Sequence, residues 1–201
     1  MKEKILKRAI ELFLELGFKS VTMDDIAESL GISKKTIYSH YSTKGKLVED
    51  CAANLFCTIT EGIDEIIAEK HNPIDESFNI HRFILSRLKK EKASPQYQLQ
   101  KYYPKIERKL RQQKIERMQE CVVNNLKRGV KEGYYRPEIE IDLVFRFYFM
   151  TLEGIRSSDM FSVAEYSIPF LVKNFSDYHL RGIVSEKGLT YINNLAKKCN
   201  S

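Results

Sequence analysis

The chain has 201 residues, of which 43% are hydrophobic and 30% charged, and its 33 Lys+Arg against 27 Asp+Glu give a net charge of +6. This composition excludes a disordered tail, and the longest apolar run, residues 143–152, is too short for a membrane span, which requires about 20 apolar residues. The sequence predicts a soluble globular protein, and we expect it in the cytoplasm because no apolar targeting segment opens the chain.

The first 50 residues predict four helices, of which the second and third are short. Gly17 is a natural stop for the first helix, whose apolar residues recur with a period of 3.6. Thr22, three residues before Asp25, is a predicted N-cap for the second helix, and Ser33 is one for the third. The predicted helices cover about residues 5–16, 23–30 and 34–41, and the fourth begins near Lys44.

Beyond residue 50 the predicted helices are longer, and no segment shows the alternation of a β-strand. Pro104 lies inside one helical pattern and predicts a break after Tyr103. The fold class is therefore all-α, with short capped helices over residues 1–50 and a larger helical domain over residues 51–201. The later helices are expected at about residues 47–70, 75–92, 95–132, 139–157, 168–184 and 188–198.

Residues 24–43 have the pattern of a helix-turn-helix motif. Ile26 and Ile37 would face inward, and the small side chain of Ala27 would let the two helices cross closely. Residues 31–48 contain lysines and a histidine but no carboxylate, so we expect a positive outer face. A recognition helix presents such a face to the major groove of DNA, although capped short helices also occur in plain bundles.

The segment VTMDDIAESLGISKKTIYSHYSTKGKLVED resembles the DNA-binding signature of the tetracycline-repressor (TetR) family of bacterial transcriptional regulators, over about residues 5–50. Lys35 departs from the family pattern, which often has a small residue there, and its extra cation could read a guanine or grip a phosphate. The resemblance implies that bases are read by Lys34, Lys35, Thr36 and Ser39. It implies contacts to the DNA backbone from Thr22, Ser33, Tyr38, His40 and Lys44.

For the larger domain the resemblance implies a small-molecule pocket and pairing of two subunits into a homodimer through helices near 139–157 and 168–184. The stretch LVFRFYFMTLEGI is apolar on nearly all sides, which predicts a helix covered by the core and by a partner. Arg146 and Glu153 inside it are interpreted as interface or core ion-pair residues, or as groups that orient a ligand. Aromatic residues are more often core than ligand wall, but the pocket candidates are Phe78, Phe83, Tyr97, Tyr102, Tyr103, Phe145 and Phe149.

Most of the excess positive charge lies in residues 87–131, which carry 14 Lys+Arg against 4 Asp+Glu. We interpret this region as a solvated helix face, with direct DNA contact as the alternative. The four cysteines are scattered, which predicts reduced thiols and no metal site or cofactor.

The sequence thus predicts a homodimeric regulator, most simply a repressor that a small molecule releases from a pseudo-palindromic DNA operator. One alternative is an architectural DNA-binding protein without an effector. Another is an all-α enzyme that uses a C-terminal cavity, but the sequence shows no metal-ligand motif, nucleophile elbow or phosphate loop. No catalytic residue is therefore assigned.

Overall fold

The computed structural model of the protein describes residues 1–88, 95–157, 161 and 165–199, and these residues form ten helices with no strand beyond an isolated bridge. No helix in this part of the chain is long and apolar enough to cross a membrane. In chain order the helices are α1 (Lys2–Leu16), α2 (Met23–Ser29), α3 (Lys34–His40), α4 (Lys44–Ala68), α5 (Pro73–Leu88), α6 (Pro95–Tyr102), α7 (Pro104–Lys131), α8 (Ile141–Ser157), α9 (Ile168–Ile183) and α10 (Glu186–Cys199).

The predicted all-α fold is confirmed, and so is the break at Pro104. Helix α6 ends at Tyr102 and α7 begins at Pro104, whose missing N–H is not needed in the first turn of a helix. The pattern predicted over residues 47–70 is the continuation of α4, so the chain has one long helix there instead of two. Residues 89–92 of the pattern predicted over 75–92 lie outside the described residues.

The helices pack into two compact units, each built from two parts of the chain. Unit 1 comprises residues 1–65 and 82–117, and unit 2 comprises residues 66–81 and 118–201. The domain change predicted at residue 50 falls inside α4, which continues to Ala68. The division of roles between residues 1–50 and 51–201 stays a prediction.

The core of unit 1 joins the first four helices to the α6–α7 junction. Phe13 and Phe18 are almost fully buried, with ring centroids 5.0 Å apart, and Leu99, Tyr103 and Ile106 pack against the same cluster. Full burial of one large apolar side chain contributes about 1.5–3 kcal/mol. The three residues of the α6–α7 junction are partly buried, so each contributes less, and together they hold the junction against the N-terminal helices.

Unit 2 contains a buried polar network around Glu76 of α5. One carboxylate oxygen of Glu76 accepts a hydrogen bond from Asn125 at 2.8 Å, and the other lies 2.8 Å from the guanidinium of Arg128. Tyr135 donates to Asn125 at 3.0 Å, and its ring lies where a Cβ on Gly129 would stand. A buried charge with these partners is costly to disturb, so the network ties α5 to α7 and to the turn after it.

Helices α8 and α9 leave an apolar surface uncovered in the single chain. On α8, Phe147 is 64% and Met150 67% exposed in the single chain, and cover of this face by a partner subunit stays a prediction. Arg146 is exposed and pairs with Asp142, one turn earlier, at 2.6 Å, so a core position is excluded for it and a place at the interface stays a prediction.

Candidate nucleic-acid interface

Helix α2 begins at a capping box, which fixes the entry to the helix-turn-helix. The backbone N–H of Asp25 donates to the hydroxyl of Thr22 at 3.1 Å, and the N–H of Thr22 donates to the carboxylate of Asp25 at 2.7 Å. These hydrogen bonds, first that from the Thr22 backbone, lower the pKa of Asp25. The Thr22 hydroxyl accepts in this arrangement, so its proton can be donated to a phosphate, as the resemblance implies.

The turn between α2 and α3 depends on Gly31. Its φ of 63° lies in the left-handed region that favours glycine. The next N–H, from Ile32, donates to the carbonyl of Ala27 at 3.0 Å, and α3 then begins at Ser33, whose hydroxyl accepts from the N–H of Thr36 at 3.1 Å. With Ile37 fully buried, this geometry confirms the predicted pair of short crossed helices.

The four residues predicted to read bases all lie on α3. Lys34, Lys35 and Ser39 are exposed and Thr36 is half-buried. The hydroxyl of Ser39 donates to the carbonyl of Thr36 at 2.7 Å, and the hydroxyl of Thr36 lies 2.8 Å from that of Ser33. The two lysines are therefore the long side chains at the start of α3, where a recognition helix approaches base edges.

Lys34 has a carboxylate partner that the sequence analysis missed. Its ammonium lies 2.8 Å from Asp24 on α2, and this hydrogen bond raises the pKa of Lys34. Residues 31–48 contain no acid, but the turn brings a carboxylate from ten residues earlier onto the same face. The signal for it was the Asp24–Asp25 pair beside a predicted tight turn.

The residues predicted to contact the DNA backbone divide into exposed ones and one that is partly buried. Thr22, Ser33, His40 and Tyr38 are exposed. Lys44 is half-buried at the start of α4, and its ammonium lies 3.5 Å from the carbonyl of Lys19 and 6.0 Å from the ring centre of Phe13.

This burial lowers the pKa of Lys44 and limits the reach of its side chain. Its backbone N–H lies in the first turn of α4, where helix geometry leaves amides open to an anion.

The seven pocket candidates divide between the two units. Phe78, Phe145 and Phe149 belong to unit 2, and the other four to unit 1. Phe83 lies on the backbone of Gly62, and Tyr103 packs edge-on against Phe18 with ring centres 6.3 Å apart. Tyr102 is 38% exposed at the end of α6, and the side chain of Tyr97 lies outside the described part of the structure. Tyr103 therefore serves the core of unit 1.

The sequence analysis also missed a partly buried polar cluster in unit 2. His81 of α5 approaches the carbonyl of Ser77 with Nδ1 at 2.8 Å and the hydroxyl of Tyr148 with Nε2 at 2.6 Å. A carbonyl only accepts, so Nδ1 carries the proton and Nε2 accepts from Tyr148.

His179 of α9 packs against the same tyrosine with ring centres 5.0 Å apart and the ring planes tilted by 48°. Burial lowers the pKa of both imidazoles, to about 4 for His179. Both histidines are therefore neutral near pH 7. The sequence analysis could not find this cluster, because His81 and His179 lie far apart in the chain and form no short motif.

A capped helix-turn-helix with two lysines at the start of its second helix, on an all-α chain, has the architecture of a DNA-binding transcriptional regulator. Comparison with known proteins gives the family. Residues 5–51 match the profile described as bacterial regulatory proteins, tetR family.

The matched relatives are regulators. The HTH-type transcriptional repressor KstR2 of Mycobacterium tuberculosis is 24% identical over 152 residues, which cover 72% of this chain and 74% of the relative. The biofilm operon regulator IcaR of Staphylococcus epidermidis is 41% identical over 56 residues, 28% of this chain and 30% of that protein.

Solved structures share the fold along nearly the whole chain. The ketosteroid transcriptional regulator KstR2 of M. tuberculosis superposes with a TM-score of 0.62 at 20% identity, covering 92% of this chain and 95% of the other. A regulator from Cytophaga hutchinsonii reaches 0.74 at 17% identity, covering 91% and 98%. Residues 5–51 therefore carry the DNA-binding region of the TetR family, and the likeness to the solved regulators extends the shared fold to nearly the whole chain.

Proposed function

We propose that this protein is a homodimeric repressor that inserts α3 of each subunit into the major groove of a pseudo-palindromic operator and leaves the DNA when unit 2 binds a small molecule. The observation that carries this proposal is the start of α3, where Lys34 and Lys35 project from a capped, positively charged turn. Two such helices read half-sites about 34–36 Å apart, or a multiple of that spacing. We place this activity in the cytoplasm, where the bacterial chromosome lies.

To read a base, the ammonium of Lys34 must exchange its carboxylate partner, Asp24, for an acceptor on the DNA. In the free protein its ammonium binds Asp24, whereas the base edges of guanine offer two acceptors, N7 and O6. Both groups of the ion pair are more than half exposed, so water can replace the carboxylate at little cost. Lys35 and the hydroxyls of Thr36 and Ser39 would complete the contacts to bases, while Thr22, Ser33, Tyr38, His40 and the first turn of α4 would bind phosphates.

The surface of α8 and α9 supports the dimer. Five of the exposed side chains on these two packed helices are large and apolar: Leu143, Phe147, Met150, Phe170 and Tyr178. Apolar surface of this extent on one helix pair is typical of a protein–protein contact. Ion pairs within each helix, Arg146 with Asp142 and Arg181 with Asp177, supply a polar rim.

We further propose an effector that is mostly apolar. The candidates Phe78, Phe145 and Phe149 of unit 2 are aromatic, and the cluster of His81, Tyr148 and His179 supplies the polar groups that orient a ligand. The structural relatives include a ketosteroid regulator and a FadR repressor of Thermus thermophilus solved with lauroyl-CoA. These names suggest the first compounds to test.

Selection of bound duplexes from a random pool tests the proposed function. We expect an inverted repeat, and addition of a ketosteroid or lauroyl-CoA should then lower the affinity for it. Recovery of unrelated sequences would contradict operator recognition and match an architectural protein without an effector. Recovery of a repeat whose binding no such compound weakens would contradict the proposed effector class.

A further inference from the structure

The excess positive charge of this chain belongs to unit 1. Counted from the sequence, residues 1–65 and 82–117 carry 21 Lys+Arg against 14 Asp+Glu, a net +7, whereas the residues of unit 2 sum to −1. The sequence left open whether the basic region 87–131 is a solvated face or a DNA contact. Its part up to residue 117 belongs to the same compact unit as the helix-turn-helix.

Two lysines from different elements meet on one exposed ring in unit 1. The ammonium of Lys19, in the loop between α1 and α2, lies 5.5 Å from the ring centre of Tyr102, and that of Lys101 lies 5.7 Å from it. Both distances are within the range of cation–π attraction. The ring therefore offsets part of the repulsion between the two cations and keeps them together at the surface, where Tyr102 is 38% exposed.

Helix α6 is attached to this loop by directed contacts. The N–H of Lys19 donates to the side-chain carbonyl of Gln98 at 3.2 Å, and the carbonyl of Lys19 accepts from the ammonium of Lys44 at 3.5 Å. Next to these contacts, Tyr103 packs on Phe18 in the core. The pair Lys19–Lys101 is thus held at a fixed place beside the start of α4.

That place adjoins the predicted DNA backbone contacts. Thr22 is three positions after Lys19 in the chain, at most about 11 Å away, and the ammonium of Lys44 contacts the carbonyl of Lys19. A DNA strand bound by Thr22 and by the first turn of α4 would therefore pass within reach of both lysines, whose stems are long and flexible.

We propose that Lys19 and Lys101, gathered on Tyr102, form a second phosphate-binding surface that extends the DNA interface from the helix-turn-helix to the backbone flanking each half-site. The inference rests on the proposed DNA-binding function. Charge complementarity identifies duplex DNA as the partner of this surface, because the duplex carries one negative charge per about 1.7 Å of its axis. The contact is independent of base sequence, since an ammonium on a flexible stem binds phosphate as a point charge.

The test measures binding of the full-length chain to one 30-bp mixed-sequence duplex by fluorescence anisotropy over a range of salt concentrations. Each lost phosphate contact lowers the slope of log affinity against log salt by about 0.9, which is about eightfold in affinity at 0.1 M salt. For a dimer we expect the slopes of Lys19→Gln and of Lys101→Gln to fall by about 1.8 each.

Lys127→Gln is the matched control, because it removes the same charge from an exposed lysine of unit 2. Equal slopes for Lys101→Gln and Lys127→Gln would overturn the inference and leave the region a solvated face. If the wild-type chain showed no salt-dependent binding, the proposed function itself would fail. An unchanged thermal unfolding temperature of the variants excludes a folding defect. If either Lys19→Gln or Lys101→Gln unfolds, the salt slope of the other variant still tests the surface.

Discussion

In the proposed complex, DNA and the carboxylate of Asp24 compete for the ammonium group of Lys34. Its ammonium binds Asp24 at 2.8 Å in the free protein, at the position where a recognition helix would meet base edges. The ion pair joins α2 to α3 across the turn. In the proposed complex with DNA, an acceptor on the DNA would replace Asp24, which lowers the positive charge of this surface in the free protein.

Asp24→Asn tests this role of the carboxylate. We expect the variant to bind mixed-sequence DNA about two- to tenfold more tightly at 0.1 M salt, because a repelling charge leaves the interface and Lys34 gains access to phosphates. Glu28→Gln, which removes an acid from the same helix, is the control. Weaker binding by Asp24→Asn in an anisotropy titration would show instead that Asp24 positions Lys34.

His179 is expected to make unit 2 sensitive to acid. Burial, and after it the neighbouring His81, lower the pKa of this imidazole from 6.5 to about 4. Between these pH values the unfolded chain binds the proton and the folded chain does not. Above pH 6.5 the titration of His179 does not change the free energy of unfolding. As the pH falls from 6.5 toward 4, it lowers the free energy of unfolding by about 1.4 kcal/mol per pH unit.

His179→Phe retains an aromatic ring and removes the titration. Relative to the wild type, the free energy of unfolding of the variant should rise by roughly 1–2 kcal/mol between about pH 7 and about pH 5. Urea denaturation at the two pH values measures this difference, with His40→Gln as the control at an exposed histidine. A difference that does not change with pH would show that His179 is already solvated in the folded state.

At the scale of elements, local sequence signals predicted most of the fold. Thr22, Ser33 and Gly31 act within a few residues of the chain, so their caps and turn follow from sequence, as does the break at Pro104. The ion pair of Lys34 and the cluster around His81 depend on residues brought together by tertiary packing, which periodicity does not encode. For the same reason the aromatic residues were recognised as apolar, but Tyr103 could not be assigned to the core of unit 1.

The exposed face of α8 and α9 gives a prediction at this scale. Phe147→Asp or Met150→Asp would place a charge in the proposed dimer contact, where burying it without a partner is costly. We expect the dimer dissociation constant to rise at least tenfold, as measured by analytical ultracentrifugation. Leu16→Asp puts the same charge on a leucine of unit 1 that is 55% exposed, and this variant should remain dimeric. Dimerisation of all three variants alike would place the interface elsewhere.

At the scale of the whole molecule, the two units carry different charge and different chemistry. Unit 1 has a net charge of +7 and holds the helix-turn-helix, whereas unit 2 is close to neutral and contains the uncovered apolar helices and the histidine cluster. Composition gave only the summed net charge of the two units, and the sequence analysis divided the chain at residue 50. Because α4 continues through that boundary and residues 82–117 return to unit 1, this partition follows from the fold alone. If an effector weakens operator binding by some factor, DNA weakens effector binding by the same factor.

The central claim is that the start of α3 reads bases, and selection from a random DNA pool with paired variants tests it most directly. The Lys34→Gln, Lys35→Gln double variant should recover a repeat that is relaxed or altered within the half-sites, since bidentate base contacts each contribute about 1–3 kcal/mol of discrimination. Lys44→Ala should recover the wild-type repeat with lower affinity, because it removes a positive charge from the start of α4, near the DNA phosphates, and leaves the contacts to bases unchanged. Recovery of the wild-type repeat by the double variant, with an equal loss of affinity for repeat and scrambled duplexes, would contradict the claim.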